Sequence, residues 1–348
     1  MTSNPIRKLK NEGDGADQAL RPATWDAYVG QERVKDNLHI LIEAAKRRGE
    51  AADHLLFSGP AGLGKTTLAH LVARELGAPV KITSGPAIEK MGDLAAILTN
   101  LEPGEVLFID EAHRINRMIE EVLYPAMEMR KLHVVVGKGP SARTLTLDLP
   151  PFTLIAATTR ENLLSQPLRS RFGATFRLEY YRTTDIARIL ERSAKILGMA
   201  IDAQGIEVLA SASRGTPRVA NRLLRRARDY AEVHGKATID GAVSRGTLAL
   251  LEVDELGLEP QDRKLLQTII TKFGGGPVGV GTLAAALNEE RGVIEDIYEP
   301  YLMALGFLQR SAAGRIVLPP AYDHLGVARH RADEARSGDA KARRGDLL

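Results

Sequence analysis

The chain has 348 residues, of which 44% are hydrophobic and 26% charged, and its formal net charge at pH 7 is +3. This composition is sufficient for the cores of two or three domains, and it excludes a fibrous or wholly disordered chain. The absence of cysteine excludes disulfides, thiol catalysis and cysteine-based zinc sites. Because residues 1–20 are polar and no run of about 18 apolar residues occurs, we expect no membrane contact and a cytoplasmic location.

The first clear elements are a helix and a short apolar strand. Apolar residues recur at helical spacing over residues 34–48, where Gly49 ends the pattern, and the strand candidate covers residues 54–58. A second helical pattern occupies residues 67–76. Between strand and second helix lies a glycine-rich segment, so the local order is strand, loop, helix. In that order, the N-terminus of the second helix points toward the ligand that the loop binds.

The loop itself carries a phosphate-binding motif. Residues 59–66, GPAGLGKT, match G-x-x-x-x-G-K-[ST]. Glycines such as Gly62 and Gly64 allow backbone N–H groups to surround a phosphate, while Lys65 neutralises the outer phosphates and Thr66 holds Mg²⁺. The motif predicts nucleoside triphosphate binding; the alternative is a structural glycine-rich turn.

Two carboxylates end the next apolar strand. Residues 106–109 are apolar, and Asp110 and Glu111 follow directly. Because ligands of parallel sheets bind at the carboxyl ends of strands, Asp110 is suited to orient Mg²⁺ through water, and Glu111 to polarise an attacking water. The pair could also cap the following helix, and both roles can coexist. Together with the phosphate loop, the pair predicts ATP hydrolysis.

Strand and helix patterns alternate along the first half of the chain. The strand candidates cover residues 80–83, 106–109, 152–158 and 175–178. This alternation predicts an α/β fold, a doubly wound parallel sheet between helices, over residues 20–182. A β-hairpin interrupts it at residues 130–149, where leucines alternate with polar residues. The hairpin either packs into the core or presents an apolar edge to a partner.

The second half of the chain is mainly helical. Residues 183–255 predict a small helical domain, with one helix capped by Thr216 and started by Pro217. Residues 256–330 predict three helices, over residues 262–273, 283–289 and 293–305, followed by a short hairpin, the pattern of a winged helix. We expect residues 1–19 to be a flexible segment and residues 331–348 a disordered tail, because both are polar and mixed in charge.

Two arginines flank the turn of the predicted wing. Arg310 and Arg315 would lie close together across the hairpin, where they could meet DNA phosphates or serve only solubility. The preceding helix carries Glu295, Asp296 and Glu299, and this acidity argues against base reading in the major groove. We therefore expect sequence-independent contact with the DNA backbone through the wing.

Several strings together resemble the RuvB family, the hexameric AAA+ motors that drive branch migration of Holliday junctions. Besides the phosphate loop they are Arg21-Pro22, YVGQ at 28–31, DEAHR at 110–114, LYPAME at 123–128, GKGPSAR at 137–143 and GTPR at 215–218. The resemblance covers residues 20–326. It implies an AAA+ P-loop domain, a small helical lid domain and a C-terminal winged-helix domain.

The resemblance also implies roles for individual residues. The adenine pocket is formed by Leu20, Arg21, Tyr28 and Val29, and Thr67 follows the phosphate-binding residues. Tyr181 and Arg218 close over the nucleotide from the lid side. Thr158 is the polar sensor near the γ-phosphate, and Arg171 is the arginine finger that enters the neighbouring subunit's site. From the residues alone Arg169 is nearly as eligible. The chain departs from the family at Ala61 and Met129, neither of them catalytic.

The partners implied by the resemblance are Holliday-junction and duplex DNA, further copies of the chain in a hexameric ring, RuvA docked on the 130–149 hairpin, and RuvC in the resolution complex. Two other classes share the phosphate loop. A clamp-loader-like subunit would lack the winged helix, and an ATP-gated winged-helix transcription regulator would carry base-reading side chains. A catalytically dead scaffold is disfavoured because Lys65, Asp110 and Glu111 are all present.

Overall fold

A computed structural model describes residues 19–136 and 143–328. The chain divides into two compact units, one ending at Asp240 and the other beginning at Gly241. The predicted segments 1–19 and 331–348 lie outside the described residues, apart from Ala19. Within the part of the chain that the structure describes, no helix is long and apolar enough to cross a membrane.

The first unit contains a parallel sheet and an antiparallel hairpin. Its strands are β1 (Leu55–Ser58), β2 (Val80–Ser84), β3 (Val106–Asp110), β4 (Lys131–Val136), β5 (Arg143–Asp148), β6 (Thr153–Thr158) and β7 (Ala174–Arg177). Five of them form one sheet in the order β2-β3-β6-β1-β7, with every neighbouring pair parallel. The prediction of a parallel α/β sheet is confirmed.

The helices of this unit precede, separate and follow the strands. They are α1 (Glu32–Arg48), α2 (Lys65–Glu75), α3 (Met91–Thr99), α4 (Arg117–Met129), α5 (Gln166–Arg169), α6 (Thr183–Ile196), α7 (Ala203–Ser211) and α8 (Pro217–Val233). Strands β1 and β6 are buried along their whole length, because helices cover both faces of a parallel sheet. The last three helices belong to the predicted lid, and β8 (Ala200–Ile201) pairs there with β9 (Thr238–Ile239).

The register of the parallel strands brings their carboxyl ends, and the loops that follow them, to one edge of the sheet. Ser58, the last residue of β1, pairs with Thr158 on one side and with Arg177 on the other. Ser84 pairs with Asp110 at the ends of β2 and β3. Because β1 lies between β6 and β7, the loop that follows it opens into the crevice where open α/β sheets bind ligands.

The predicted hairpin is present. Strands β4 and β5 pair from Lys131↔Asp148 to Val136↔Arg143, and the turn over residues 137–142 lies outside the described residues. Leu132 and Leu149, at the root of the hairpin, are buried in the core of the first unit, whereas Leu145 is 51% exposed. The root of the hairpin therefore packs in the core, whereas the apolar side chain of Leu145 on β5 lies at the surface.

The second unit is a winged helix preceded by one helix. Its elements are α9 (Gly241–Leu250), α10 (Pro260–Phe273), α11 (Val280–Leu287), α12 (Arg291–Val293), a π-helical segment (Ile294–Tyr298), α13 (Glu299–Ala304), β10 (Leu308–Ser311), β11 (Gly314–Val317) and α14 (Pro319–Leu325). The three predicted helices and the wing are confirmed. Their apolar faces meet in a core that includes Leu265, Leu283 and Leu302.

One predicted helix differs from a regular α-helix. We expected a continuous helix over residues 293–305, but the structure has a π-helical segment at Ile294–Tyr298 between two α-helical stretches. Pro300 explains the interruption, because it has no N–H to donate and its ring crowds the carbonyl four residues earlier.

Candidate functional site

A cleft of about 310 Å³ opens beside the loop that follows β1. Its lining residues all belong to the first unit. It brings together thirteen of the residues expected from the sequence: Leu20, Arg21, Tyr28, Val29, Gly62, Gly64, Lys65, Thr66, Thr67, Asp110, Glu111, Tyr181 and Arg218. Thr158 and Arg171 are not among its lining residues. The arrangement therefore unites the phosphate loop, the two carboxylates and the lid in one site.

The phosphate loop has the backbone conformation that its glycines predict. Gly62 and Gly64 have φ values of 82° and 95°, in the left-handed region that favours glycine. Lys65 is 8% exposed, and its Nζ donates to the carbonyls of Gly59 and Pro60 at 2.8 Å each. Burial lowers the pKa of Lys65 to about 8, while Asp110 raises it and Arg218 lowers it further. The ammonium is held by weak neutral acceptors that an anion can replace.

The turn after β3 gives Glu111 an unusual backbone. Glu111 has a φ of 49°, which is uncommon for a residue with a side chain. A Cβ added to Gly85 would lie 2.4 Å from the carbonyl oxygen of Glu111, so this turn requires glycine at position 85. The Glu111 carboxylate accepts a hydrogen bond from Arg114 Nη1 at 3.1 Å, and both side chains are about half exposed (49% and 58%). Such a pair is weak and can exchange its partners.

The structure places Thr158, the predicted polar sensor, outside the cleft lining. The Thr158 side chain is 1% exposed, and its Oγ1 lies 3.0 Å from His113 Nδ1 and accepts a hydrogen bond from the backbone N–H of Arg160 at 3.0 Å. The next residue, Thr159, lines the cleft. Successive side chains at a strand end point to opposite sides, so only one of the two threonines can face the cleft. The structure gives that position to Thr159.

Two buried tyrosines line the cleft. Tyr181 Oη lies 3.1 Å from Tyr28 Oη and 3.2 Å from the carbonyl oxygen of Leu63. Burial raises the pKa of Tyr28 well above its ordinary value and that of Tyr181 to about 12, so both hydroxyls stay neutral. A Cβ on Gly30 would lie 2.8 Å from the Tyr181 ring. With the buried Leu20, these rings form an uncharged wall suited to a purine base.

The lid helix touches the phosphate loop directly. Thr216 caps α8 by accepting a hydrogen bond from the backbone N–H of Val219 at 3.4 Å, and Pro217 occupies the first position, as predicted. A Cβ on Gly62 would lie 3.1 Å from Arg218 Cβ. The Arg218 side chain therefore begins next to the phosphate loop and lines the cleft. This position on the lid suits a residue that contacts the phosphates.

Arg192 is a cleft residue that the sequence did not reveal. It lies on α6 and lines the cleft. One of its terminal nitrogens, Nη2, donates to the carbonyl of Leu20 at 2.8 Å, and the other, Nη1, donates to the carbonyl of Ala27. Arg192 thus ties the lid to both ends of the segment that carries Leu20 and Tyr28. No short motif contains it, because its partners are 165 and 172 residues away.

Arg171 lies outside the cleft of its own chain, and its side chain contacts Pro167, Glu128 and Tyr124. Its Nη1 donates to the carbonyl of Pro167 at 2.6 Å, and its Nη2 donates to Glu128 at 3.3 Å. The guanidinium carbon lies 4.4 Å from the centre of the Tyr124 ring. Arg169, the other candidate, is also absent from the cleft lining.

The wing arginines are close together as predicted, but neither is a free surface cation. Arg310 and Arg315 face each other across β10 and β11. Both form ion pairs with Glu299, at 2.5 Å and 2.7 Å, and Arg315 also pairs with Glu295 at 3.1 Å. Glu299, one of the three acidic residues that argue against base reading, is buried and paired with both wing arginines.

Comparison with known proteins agrees with these sites. Three family models match successive parts of the chain: the Holliday junction DNA helicase RuvB P-loop domain over residues 20–178, the RuvB AAA lid domain over residues 181–254, and the RuvB C-terminal winged helix domain over residues 255–326. The chain is 58% identical to the Holliday junction branch migration complex subunit RuvB of Dehalococcoides mccartyi, over 92% of each protein. The chain belongs to the RuvB family.

Solved structures of RuvB share this fold over most of the chain. The Holliday junction branch migration motor RuvB of Thermotoga maritima is 46% identical, with a TM-score of 0.83, covering 89% of this chain and 99% of that one. A single-residue variant of the T. maritima protein gives the same TM-score and identity, covering 88% of this chain and 98% of its own. The AAA+ class, with its lid and winged helix, is thereby confirmed. The bounds 20–182, 183–255 and 256–330 stay predictions.

Proposed function

We propose that the chain is the ATP-hydrolysing motor subunit that drives branch migration of Holliday junctions in recombination and DNA repair. The observation that carries the proposal is the cleft, where the phosphate loop, the carboxylate pair and lid arginine Arg218 meet in a chain that also carries a winged helix. Its D. mccartyi relative is named as a subunit of the branch migration complex.

The residues of the cleft fit ATP and Mg²⁺. Lys65, which is buried and hydrogen-bonded to two loop carbonyls, suits the outer phosphates, and the tyrosine wall suits the base. Thr66 and Asp110 would hold Mg²⁺, Asp110 through water, because Mg²⁺ typically binds one or two protein oxygens together with substrate phosphates. Bound ATP supplies the phosphoanhydride bond whose cleavage drives the motor.

Glu111 is proposed as the residue that polarises the attacking water. Its carboxylate must first exchange its contact with Arg114 for that water, which the exposure of the pair allows. We assign the polar sensor to Thr159 because its side chain lines the cleft, with Thr158 held behind it by His113. Gly85 supports the turn that carries Glu111.

Hydrolysis is proposed to depend on a hexameric ring. Arg171, outside its own cleft, would enter the neighbouring subunit's site and neutralise charge in the transition state, an effect worth about 10³ to 10⁵ in rate. Its contacts with Glu128 and Tyr124 hold the guanidinium on one face of the first unit. Loss of the γ-phosphate would then change the lid position through Arg218.

The wing, with Arg310 and Arg315, is proposed to contact Holliday-junction and duplex DNA through the phosphate backbone. The hairpin at residues 130–149, with Leu145 exposed, is proposed to dock RuvA, and RuvC to join in the resolution complex. The cytoplasm is the proposed location. Membership of the RuvB family disfavours both the clamp-loader and the transcription-regulator alternatives.

The deciding experiment is ATP-dependent dissociation of a synthetic four-way DNA junction, with and without a RuvA-type partner. Glu111→Gln should abolish dissociation while ATP still binds, because the phosphate loop is untouched. Glu121→Gln is the matched control, since it makes the same change at an exposed position of the same unit. ATP hydrolysis by the wild-type chain without junction dissociation, even with the partner present, would refute the proposed function.

A further inference from the structure

One aromatic ring supports the guanidinium of Arg171. Tyr124 lies on α4, and its partly buried side chain packs against the core of the first unit. The guanidinium carbon of Arg171 lies 4.4 Å from the centre of this ring, within the range of a cation–π contact. Glu128, one turn later on α4, also contacts the guanidinium, but its side chain is 52% exposed and this ion pair exchanges readily with water. Of the two contacts from α4, the ring is the one that packing fixes.

The hydroxyl of the same tyrosine reaches the short helix that precedes Arg171. Tyr124 Oη lies 2.9 Å from the Oγ of the buried Ser165, which caps α5 by accepting a hydrogen bond from the backbone N–H of Leu168 at 3.2 Å. Tyr124 Oη also donates a weaker hydrogen bond, at 3.5 Å, to the buried carboxylate of Glu120. Arg171 follows the end of α5 by two residues. One side chain therefore fixes both the backbone that leads to Arg171 and the plane of its guanidinium.

We propose that Tyr124 is a positioning residue for the arginine finger, which fixes α5 through its hydroxyl and orients the Arg171 guanidinium through its ring. This inference deepens the proposed function and rests on the proposed role of Arg171. Tyr124 is not among the residues that line its own cleft, so it acts on hydrolysis in the neighbouring subunit. A subunit with an altered Tyr124 then keeps an intact cleft and lacks only a correctly held finger.

The ring and the hydroxyl can be removed separately. Tyr124→Leu keeps an apolar side chain against the core but removes the ring, and turnover should fall about tenfold, the value of one cation–π contact. Tyr124→Phe removes only the hydrogen bonds of the hydroxyl, so turnover should fall about threefold. Both variants should bind ATP within about twofold of wild type, because the contact that they weaken acts in the transition state. Tyr230→Leu is the matched control, since it makes the same change on α8, where the ring stacks on His234, and it should leave turnover unchanged.

Mixed rings separate a finger defect from damage to a subunit's own cleft. Glu111→Gln subunits cannot hydrolyse ATP but keep an intact finger, which they supply to neighbouring Tyr124→Leu clefts. In a random one-to-one mixture, about a quarter of the bound ATP lies in an intact cleft beside an intact finger and should be hydrolysed at the wild-type rate. Arg171→Ala mixed with Glu111→Gln is the reference, because this variant lacks the finger itself.

The full-length subunits are combined before ATP is added, and their co-assembly is checked by energy transfer between labelled subunits. Hydrolysis is followed under single-turnover conditions, so that no subunit has to cycle. If Tyr124→Leu does not fold, Tyr124→Phe takes its place in the mixture.

The possible outcomes are distinct. A fast phase at the wild-type rate in both mixtures supports the proposal. A fast phase in the reference mixture alone shows that Tyr124 acts within its own subunit and overturns the proposal, as does wild-type turnover by both Tyr124 variants without mixing. If neither co-assembled mixture has the fast phase, or Arg171→Ala alone turns over normally, the proposed role of Arg171 as a finger in trans is refuted, and the role of Tyr124 is refuted with it.

Discussion

Replacing Arg192 with alanine should weaken binding of adenine nucleotides while sparing the phosphate loop. Arg192 donates to the carbonyls of Leu20 and Ala27, at the two ends of the segment that supplies Leu20 and Tyr28 to the cleft. A hydrogen bond from a charged group contributes about 1.5–3 kcal/mol. Arg192→Ala removes two such hydrogen bonds, but water can reach the open cleft and replace part of their contribution. We therefore expect a net cost equal to that of one such hydrogen bond. That corresponds to roughly 10- to 150-fold in affinity.

The assay is titration of the full-length chain with a fluorescent ADP analogue, and competition by inorganic tripolyphosphate. The tripolyphosphate has no base, so its affinity should be the same for Arg192→Ala and wild type, because Lys65 and the loop are unaltered. Arg188→Ala is the matched control, since Arg188 lies one turn earlier on α6 and is exposed. Unchanged binding of the ADP analogue would refute the role of Arg192. An equal loss of tripolyphosphate binding would show general damage to the cleft instead.

Three further substitutions or conditions test the site. Since burial lowers the pKa of Lys65 from 10.5 to about 8, tripolyphosphate affinity should fall as pH rises through about 8, and Lys65→Arg should remove that dependence. The free energy of unfolding should rise as the pH increases from about 8 to 10.5, because over this range the Lys65 side chain holds its proton in the unfolded chain but not in the folded one. A melting temperature that falls over this pH range would contradict the lowered pKa of Lys65. Gly85→Ala should cost about 1–3 kcal/mol by overpacking and reduce ATP hydrolysis more than ATP binding, because its methyl group displaces Glu111; normal turnover would exclude this. Arg171→Ala should bind ATP nearly as wild type yet lose turnover, and normal turnover by this variant in a steady-state assay would return the finger to Arg169.

The sequence by itself determined the elements whose information is local. The phosphate loop lies within eight consecutive residues, and Asp110 and Glu111 follow their strand directly, so backbone chemistry alone predicts their meeting at one edge of the sheet. Helix signals were equally local, as Thr216 and Pro217 at the start of α8 demonstrate. The winged helix followed from the same kind of pattern.

The tertiary structure decided which side chain of each candidate set faces the ligand. Thr158 and Thr159 are chemically identical neighbours, and the structure places Thr158 against His113 while Thr159 lines the cleft. Arg192 lines the cleft with hydrogen-bond partners more than 160 positions away in the sequence, and Glu299 is buried because the wing arginines pair with it. Such roles depend on packing between distant segments, which neither periodicity nor short motifs encode.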